Sequence, residues 1–146
     1  MWKKFLFLVI TFALMTSGCS AEQGPPQNTG NLSGSYVMVY YFHGDFRCVN
    51  CHRIETYTKE AVEKYFGKEL DSGKLVFRVM NVDKRENQHF MKDYQLYTKS
   101  VVLSLVKDGK EVKFDNLQGV WNYLGDKQAF FNYIKDEVNK YLKEVG

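Results

Sequence analysis

Residues Tyr36-Val37-Met38-Val39-Tyr40-Tyr41-Phe42 form an unbroken run of apolar side chains, most of them β-branched or aromatic. A run with no polar position on either side of its alternation belongs to a strand covered on both faces. It commits the chain to a sheet with a neighbour on each edge and packed layers above and below. Downstream, Ile54, Tyr57, Ala61, Val62 and Tyr65 recur at three- and four-residue spacing, which predicts one apolar helix face ending near Gly67. Leu75 to Met80 reads as a second short strand, and Asp83 as the N-cap of a brief helix carrying Phe90, Met91 and Tyr94. Val101 to Val106 and Glu111 to Phe114 flank Lys107-Asp108-Gly109-Lys110, whose Asp-Gly centre signals a hairpin. A last helix opens at Asp126 with an apolar stripe of Phe131, Ile134, Val138, Tyr141, Leu142 and Val145. The expected order is β-α-β-α-β-β-α, with the first three strands parallel through right-handed crossovers and the fourth added by the hairpin.

A chain of 146 residues supports one core of this kind and not two. Its N-terminal residues have another use. Lys3 and Lys4 precede an apolar run from Phe5 to Met15, shorter than the roughly 20 residues of a spanning helix. Thr16, Ser17, Gly18 and Cys19 follow. This resembles the lipobox of bacterial lipoproteins, and the resemblance implies removal of residues 1–18 and a lipid thioether on Cys19. Residues 19–34 are rich in Gln, Gly, Pro, Asn and Ser, with Leu32 the one large apolar side chain, and read as a flexible tether. The folded domain is then 35–146, and it contains no proline. Lys and Arg number 20 against 17 Asp and Glu, and two of the surplus lie in the leader, so the remainder is near neutral. Such a balance argues for no nucleic-acid partner.

Cys48-Val49-Asn50-Cys51 lies between the hydrophobic strand and the amphipathic helix. That junction puts the first sulfur at a helix N-terminus, where unpaired N–H groups and the helix dipole stabilise a thiolate. Two intervening residues let the second sulfur reach back and displace a mixed disulfide. Cys48 is therefore the expected nucleophile and Cys51 the resolving thiol. With Cys19 taken by lipid, the three cysteines resolve into one anchor and one pair. A purely structural disulfide is the competing account, but a four-residue loop sits at the low end of the roughly 2–4 kcal/mol typical of disulfides.

These residues resemble the thioredoxin superfamily over Ser35 to Gly146. Asn81-Val82-Asp83, the short helix to Tyr94, and Val101 to Gly109 with its second strand are similar to the stretch after the active-site helix in thioredoxins. The resemblance implies an α/β fold with a central mixed four-stranded sheet, helices on both faces, and a redox-active disulfide Cys48–Cys51 with no other cofactor. The wording Tyr41-Phe42-His43-Gly44, Arg47-Cys48 and Cys51-His52-Arg53-Ile54-Glu55-Thr56-Tyr57-Thr58 more closely resembles bacterial thioredoxin-like proteins known as nitrophenyl compound nitroreductase subunits of the ArsF type. That likeness implies a redox subunit acting with a dedicated partner protein. Two positions depart from the superfamily pattern. The cis-proline position falls at Val101, where a cis bond would cost about 2.5–4 kcal/mol and a trans bond is expected. The buried acid six residues before the first cysteine is replaced by Phe42. His43 and His52 are the candidates for the proton shuttle in its place.

Two other chemistries use the same residues. Cys48 to His52 spells CxxCH, the attachment motif of c-type haem. Cys48, Cys51 and His43 form a ligand set suited to copper or another soft metal. The favoured expectation is an exported thiol-disulfide oxidoreductase or electron-transfer subunit, held to a membrane of the bacterial cell envelope by its lipid.

Overall fold

A computed structural model describes residues 34–145. The leader 1–18, the anchor Cys19 and the tether up to residue 33 lie outside the described residues. The elements are β1 (Tyr36–His43), α1 (Val49–Asp71), β2 (Leu75–Asn81), a 3-10 turn (Arg85–Asn87), α2 (His89–Asp93), β3 (Ser100–Lys107), β4 (Lys110–Asn116), a second 3-10 turn (Gln118–Trp121) and α3 (Lys127–Leu142).

The four strands form one sheet in the order β2-β1-β3-β4. The run Tyr36–Phe42 is central, as its composition requires, and its alternation divides the core in two. Val37, Val39 and Tyr41 face one side and pack with Ile54, Val62, Phe130, Ile134 and Val138 from α1 and α3. Tyr40 and Phe42 face the other side, with Phe90 and Tyr94 at α2 and Val102 from β3. Tyr57 meets Phe130 edge-on at 5.5 Å between ring centres, joining α1 to α3. This is the α/β, thioredoxin-like arrangement, a mixed four-stranded sheet with helices on both faces.

The strand directions correct one expectation. β1 and β2 are parallel, but β3 runs antiparallel to β1, with Phe42 opposite Ser100 and Tyr41 opposite Val101. The reason is the length of α2. Its five residues advance about 7.5 Å at 1.5 Å each. The eight residues of β1 extend about 26 Å at 3.3 Å each. So short a helix does not carry the chain back along the sheet, and β3 starts at the end where β2 stops, with Ser100 opposite Phe42.

The brief helix also differs at its start. Asp83 is not its N-cap: Lys84 and Gln88 occupy the cap positions of the 3-10 turn and of α2, and neither makes a side-chain cap bond. The Asp83 carboxylate instead accepts the Asp45 backbone N–H at 2.6 Å. Helix α1 passes Gly67 and ends at Asp71, with a break in helical geometry at Phe66 (φ −131°). The hairpin is as expected. Asp108 and Gly109 both take positive φ, 50° and 76°, and Lys107 pairs with Lys110 across a two-residue turn. Asp126 caps α3 by accepting the N–H groups of Gln128 and Ala129.

Candidate active site

Three segments converge at one end of the sheet because β1 and β2 end there and β3 begins there. They are the motif loop after His43, the chain after Asn81, and the chain before Ser100. The motif loop is pinned to the second of these. Asn81 donates to the Asp45 carboxylate at 2.7 Å, and Val82 N–H donates to the His43 carbonyl at 2.8 Å. The crossing is close at Gly44, where a Cβ would come within 2.7 Å of Asp83 Oδ2 and would displace that carboxylate.

Cys48 is the N-cap of α1 in extended geometry (φ −93°, ψ 167°), and its Sγ accepts the Cys51 N–H at 3.2 Å. A sulfur in this position sits at the positive end of a 23-residue helix. Cys48 and Cys51 are joined as a disulfide with 5.0 Å between their Cα atoms. The two sulfurs are not equivalent. Cys51 is 1% exposed, whereas Cys48 is partly exposed. An incoming thiol reaches Cys48 first, and Cys51 is shielded until the chain opens.

Beneath the disulfide lies a residue that motif reading did not single out. The Tyr41 hydroxyl, buried, donates to the Cys51 carbonyl at 2.6 Å. Burial pushes this phenol up to about 12; Arg47 beside it pulls the other way and Glu55 adds to the rise. Arg47 lies 5.9 Å from the Tyr41 ring centre and is ion-paired with Glu55. Among the described residues, Arg47 Nε is the one buried side-chain nitrogen or oxygen without a hydrogen-bond partner. A donor left in that state costs on the order of 1–3 kcal/mol. Glu55 is four residues beyond Cys51, so both lie on one face of α1 in adjacent turns.

The other sequence candidates are placed as follows. Phe42, at the position of the thioredoxin acid, points to the α2 side and packs with Tyr94, Leu96 and Val102. Strand alternation explains this, because Tyr41 and not Phe42 shares a face with α1. His43 ends β1, stacks on Tyr41 at 5.9 Å, and donates from Nδ1 to the Gly44 carbonyl at 2.8 Å. His52 is exposed in the first turn of α1. Val101 is fully buried in the α1–α3 core, and no cis peptide bond occurs among the described residues. Among the described residues no group of three or more His, Cys, Asp and Glu is placed to hold a metal. Cys48 and Cys51, the two thiols that haem or copper would need, are bonded to each other here.

A cleft of about 190 Å³ opens beside the motif loop, lined among others by His43, Phe46, Met91, Leu96, Tyr97 and Lys99. Phe46, Val49 and Tyr97 are 76%, 74% and 93% exposed.

No protein-family model matches the chain, and no curated protein matches it. Solved structures do. The chain is similar to the reduced thioredoxin pre-protein of Schistosoma mansoni, with 20% identity, 73% of this chain and 79% of that chain covered, and a TM-score of 0.44. It is similar to oxidised thioredoxin from Plasmodium falciparum, with 21% identity, 73% and 85% coverage, and a TM-score of 0.45. Oxidised thioredoxin O2 from Arabidopsis thaliana shares 14% identity over 66% of this chain and 76% of its own, with a TM-score of 0.39. Likenesses this distant carry nothing about activity, and the strand order and the Cys48–Cys51 geometry stand on their own.

Proposed function

We propose that this protein is a thiol-disulfide oxidoreductase or electron-transfer subunit that exchanges two electrons at Cys48 and Cys51. The observation that carries the reading is the asymmetry of the pair. Cys48 is partly exposed, caps α1 and accepts an amide N–H, while Cys51 is buried behind it. A helix N-terminus favours a thiolate as leaving group and as nucleophile, and a shielded second thiol favours intramolecular resolution over loss of the bound partner. In the reductive direction, a partner thiolate attacks Cys48 Sγ, the S–S bond breaks, and Cys51 leaves as thiolate. A second partner thiol then displaces Cys48, leaving the partner as a disulfide and this protein as a dithiol. A structural staple would gain little from a loop this short.

A dedicated protein partner is part of the proposal. Phe46 and Val49 flank Cys48 with their side chains mostly in solvent, and apolar surface gathered at a reactive atom marks an interaction surface. The likeness to ArsF-type subunits supports the same role, a redox subunit serving another protein. We further propose export and attachment through lipid on Cys19, on the strength of the leader sequence. Among the described residues no helix is long and apolar enough to cross a membrane.

The test is a titration of the Cys48/Cys51 couple against glutathione and dithiothreitol, with free thiols counted by alkylation and mass. A reversible two-electron midpoint between about −120 and −270 mV is expected, the span of thiol oxidoreductases. No reversible couple, or one below about −300 mV, identifies a structural disulfide instead.

A further inference from the structure

The oxidised site contains one unexplained feature. Arg47 holds its guanidinium in a partly buried ion pair with Glu55, side chains 21% and 29% exposed, yet its Nε–H points at no acceptor. Arg47 immediately precedes Cys48, and Glu55 stands one helical turn beyond Cys51, so the ion pair spans the motif along the chain. Tyr41 fixes the third side by lying against Arg47 while its hydroxyl holds the Cys51 carbonyl. In the disulfide state the two sulfurs are bonded to each other and neither is charged. Reduction changes that. A dithiol such as dithiothreitol supplies two electrons and is itself oxidised to a disulfide; the S–S bond breaks. Where the Cys48 thiol of the reduced protein then loses its proton to solvent, the thiolate forms on the residue that follows a guanidinium with an unpaired donor.

We propose that Arg47 is a positioning residue for the thiol chemistry: its guanidinium, held by Glu55 and Tyr41, stabilises the Cys48 thiolate of the reduced protein, and the Glu55 carboxylate tempers that stabilisation. The inference rests on the redox reading above and adds a sign to it. A positive charge favours the reduced, ionised form and makes the protein a stronger oxidant, and a negative charge does the reverse. The remaining charged or titratable groups around the motif are His43 and Asp45 on the loop, Asp83 after β2, whose carboxylate accepts the Asp45 N–H, His52 and Arg53 on α1, and Lys99 before β3, which lies over Phe46 at 5.8 Å. They are unchanged in the variants below, so their contribution is common to all.

The experiment compares the full chain with Arg47→Met, Glu55→Gln and Arg47→Lys. It measures the rate of iodoacetamide alkylation at Cys48 against pH in the reduced protein, located by peptide mass, and the equilibrium with dithiothreitol. Arg47→Met should lower the neutral-pH alkylation rate by about three- to tenfold, and Glu55→Gln should raise it, limits set by solvent screening of a partly exposed pair. The dithiothreitol equilibrium should move in the matching directions, about 30 mV for each tenfold change. Arg47→Lys keeps the charge without the Nε–H donor and should fall between the native rate and that of Arg47→Met. A pair that merely braces the helix start gives the same direction of change for Arg47→Met and Glu55→Gln, and that result overturns the proposal, as does no change in either. Absence of a reversible couple in the unmodified chain overturns the redox reading and this inference with it. A reversible couple without opposed shifts overturns this inference alone.

Discussion

The Tyr41 hydroxyl donates a 2.6 Å hydrogen bond to the Cys51 carbonyl, tying the central strand to the first turn of the helix that carries the disulfide. Strand β1 thus supports the reactive pair from below as well as leading the chain into it. In a helix that carbonyl also receives an amide N–H from the next turn, so the tyrosine bond is its second. Tyr41→Phe should therefore cost only about 1 kcal/mol of stability. Tyr41→Ala, which also opens a cavity in the core, should cost about 3–5 kcal/mol by analogy with buried aromatic truncations. Urea denaturation of the oxidised protein measures both, and equal losses would mean that the ring contributes nothing beyond its hydroxyl.

The same buried phenol gives a pH dependence. Its folded value lies near 12 against 10.0 for an ordinary tyrosine, with burial the main cause. An unfolded chain therefore gives up this proton first as pH rises. The stability due to the neutral buried ring is intact below about pH 10 and is lost as pH climbs through 12. Tyr40, Tyr94, Tyr133 and Tyr141 are also raised, chiefly by burial, and act in the same direction. Melting temperatures of the oxidised Cys19→Ala protein should fall between pH 9 and pH 11.5, and less steeply in Tyr41→Phe. A flat profile over that range would contradict the burial of these rings.

Exposure of the two sulfurs predicts opposite phenotypes. Cys48→Ser should abolish thiol exchange, because the reachable sulfur is gone. Cys51→Ser should accumulate partners as mixed disulfides on Cys48, detectable as adducts on non-reducing gels that dithiothreitol removes. If the Cys51 variant accumulates none in the native host, the proposed partner relay is wrong.

Asp126 accepts two backbone N–H groups at 3.0 Å each at the start of α3. Asp126→Ala should destabilise the domain by about 1–2 kcal/mol. It should leave the alkylation rate at Cys48 unchanged, since α3 packs on the core face and its cap lies outside the motif. A changed rate would show coupling between the two helix starts.

Membrane attachment has its own test. Cys19→Ala should move the protein from the membrane to the soluble fraction of exported material while leaving the Cys48/Cys51 couple as it was. Retention of the variant on the membrane would argue for an uncleaved leader.

The sequence by itself determined the elements and their order. A short apolar run of β-branched and aromatic residues reads as a covered strand, Ile54 and Val62 face a core at helical spacing, and Asp108-Gly109 has the φ > 0 tolerance that a two-residue hairpin demands. It also pointed to Cys48 and Cys51 as the pair, by their place at the strand-to-helix junction and by the resemblance of Cys19 to a lipidation site, and the structure joins them. What it left open was direction and depth. The antiparallel course of β3 follows from how little distance α2 spans, and helix length there depends on contacts that no local pattern records. Phe130 joins the core beside Phe131 because α3 is enclosed by both α1 and the sheet, a width of burial that the single stripe from Phe131 to Val145 did not convey. The surroundings of the disulfide belong to tertiary structure as well. Arg47, Glu55 and Tyr41 are ordinary residues in the sequence. They become one charged and hydrogen-bonded unit only because β1, the motif loop and α1 meet at the same end of the sheet.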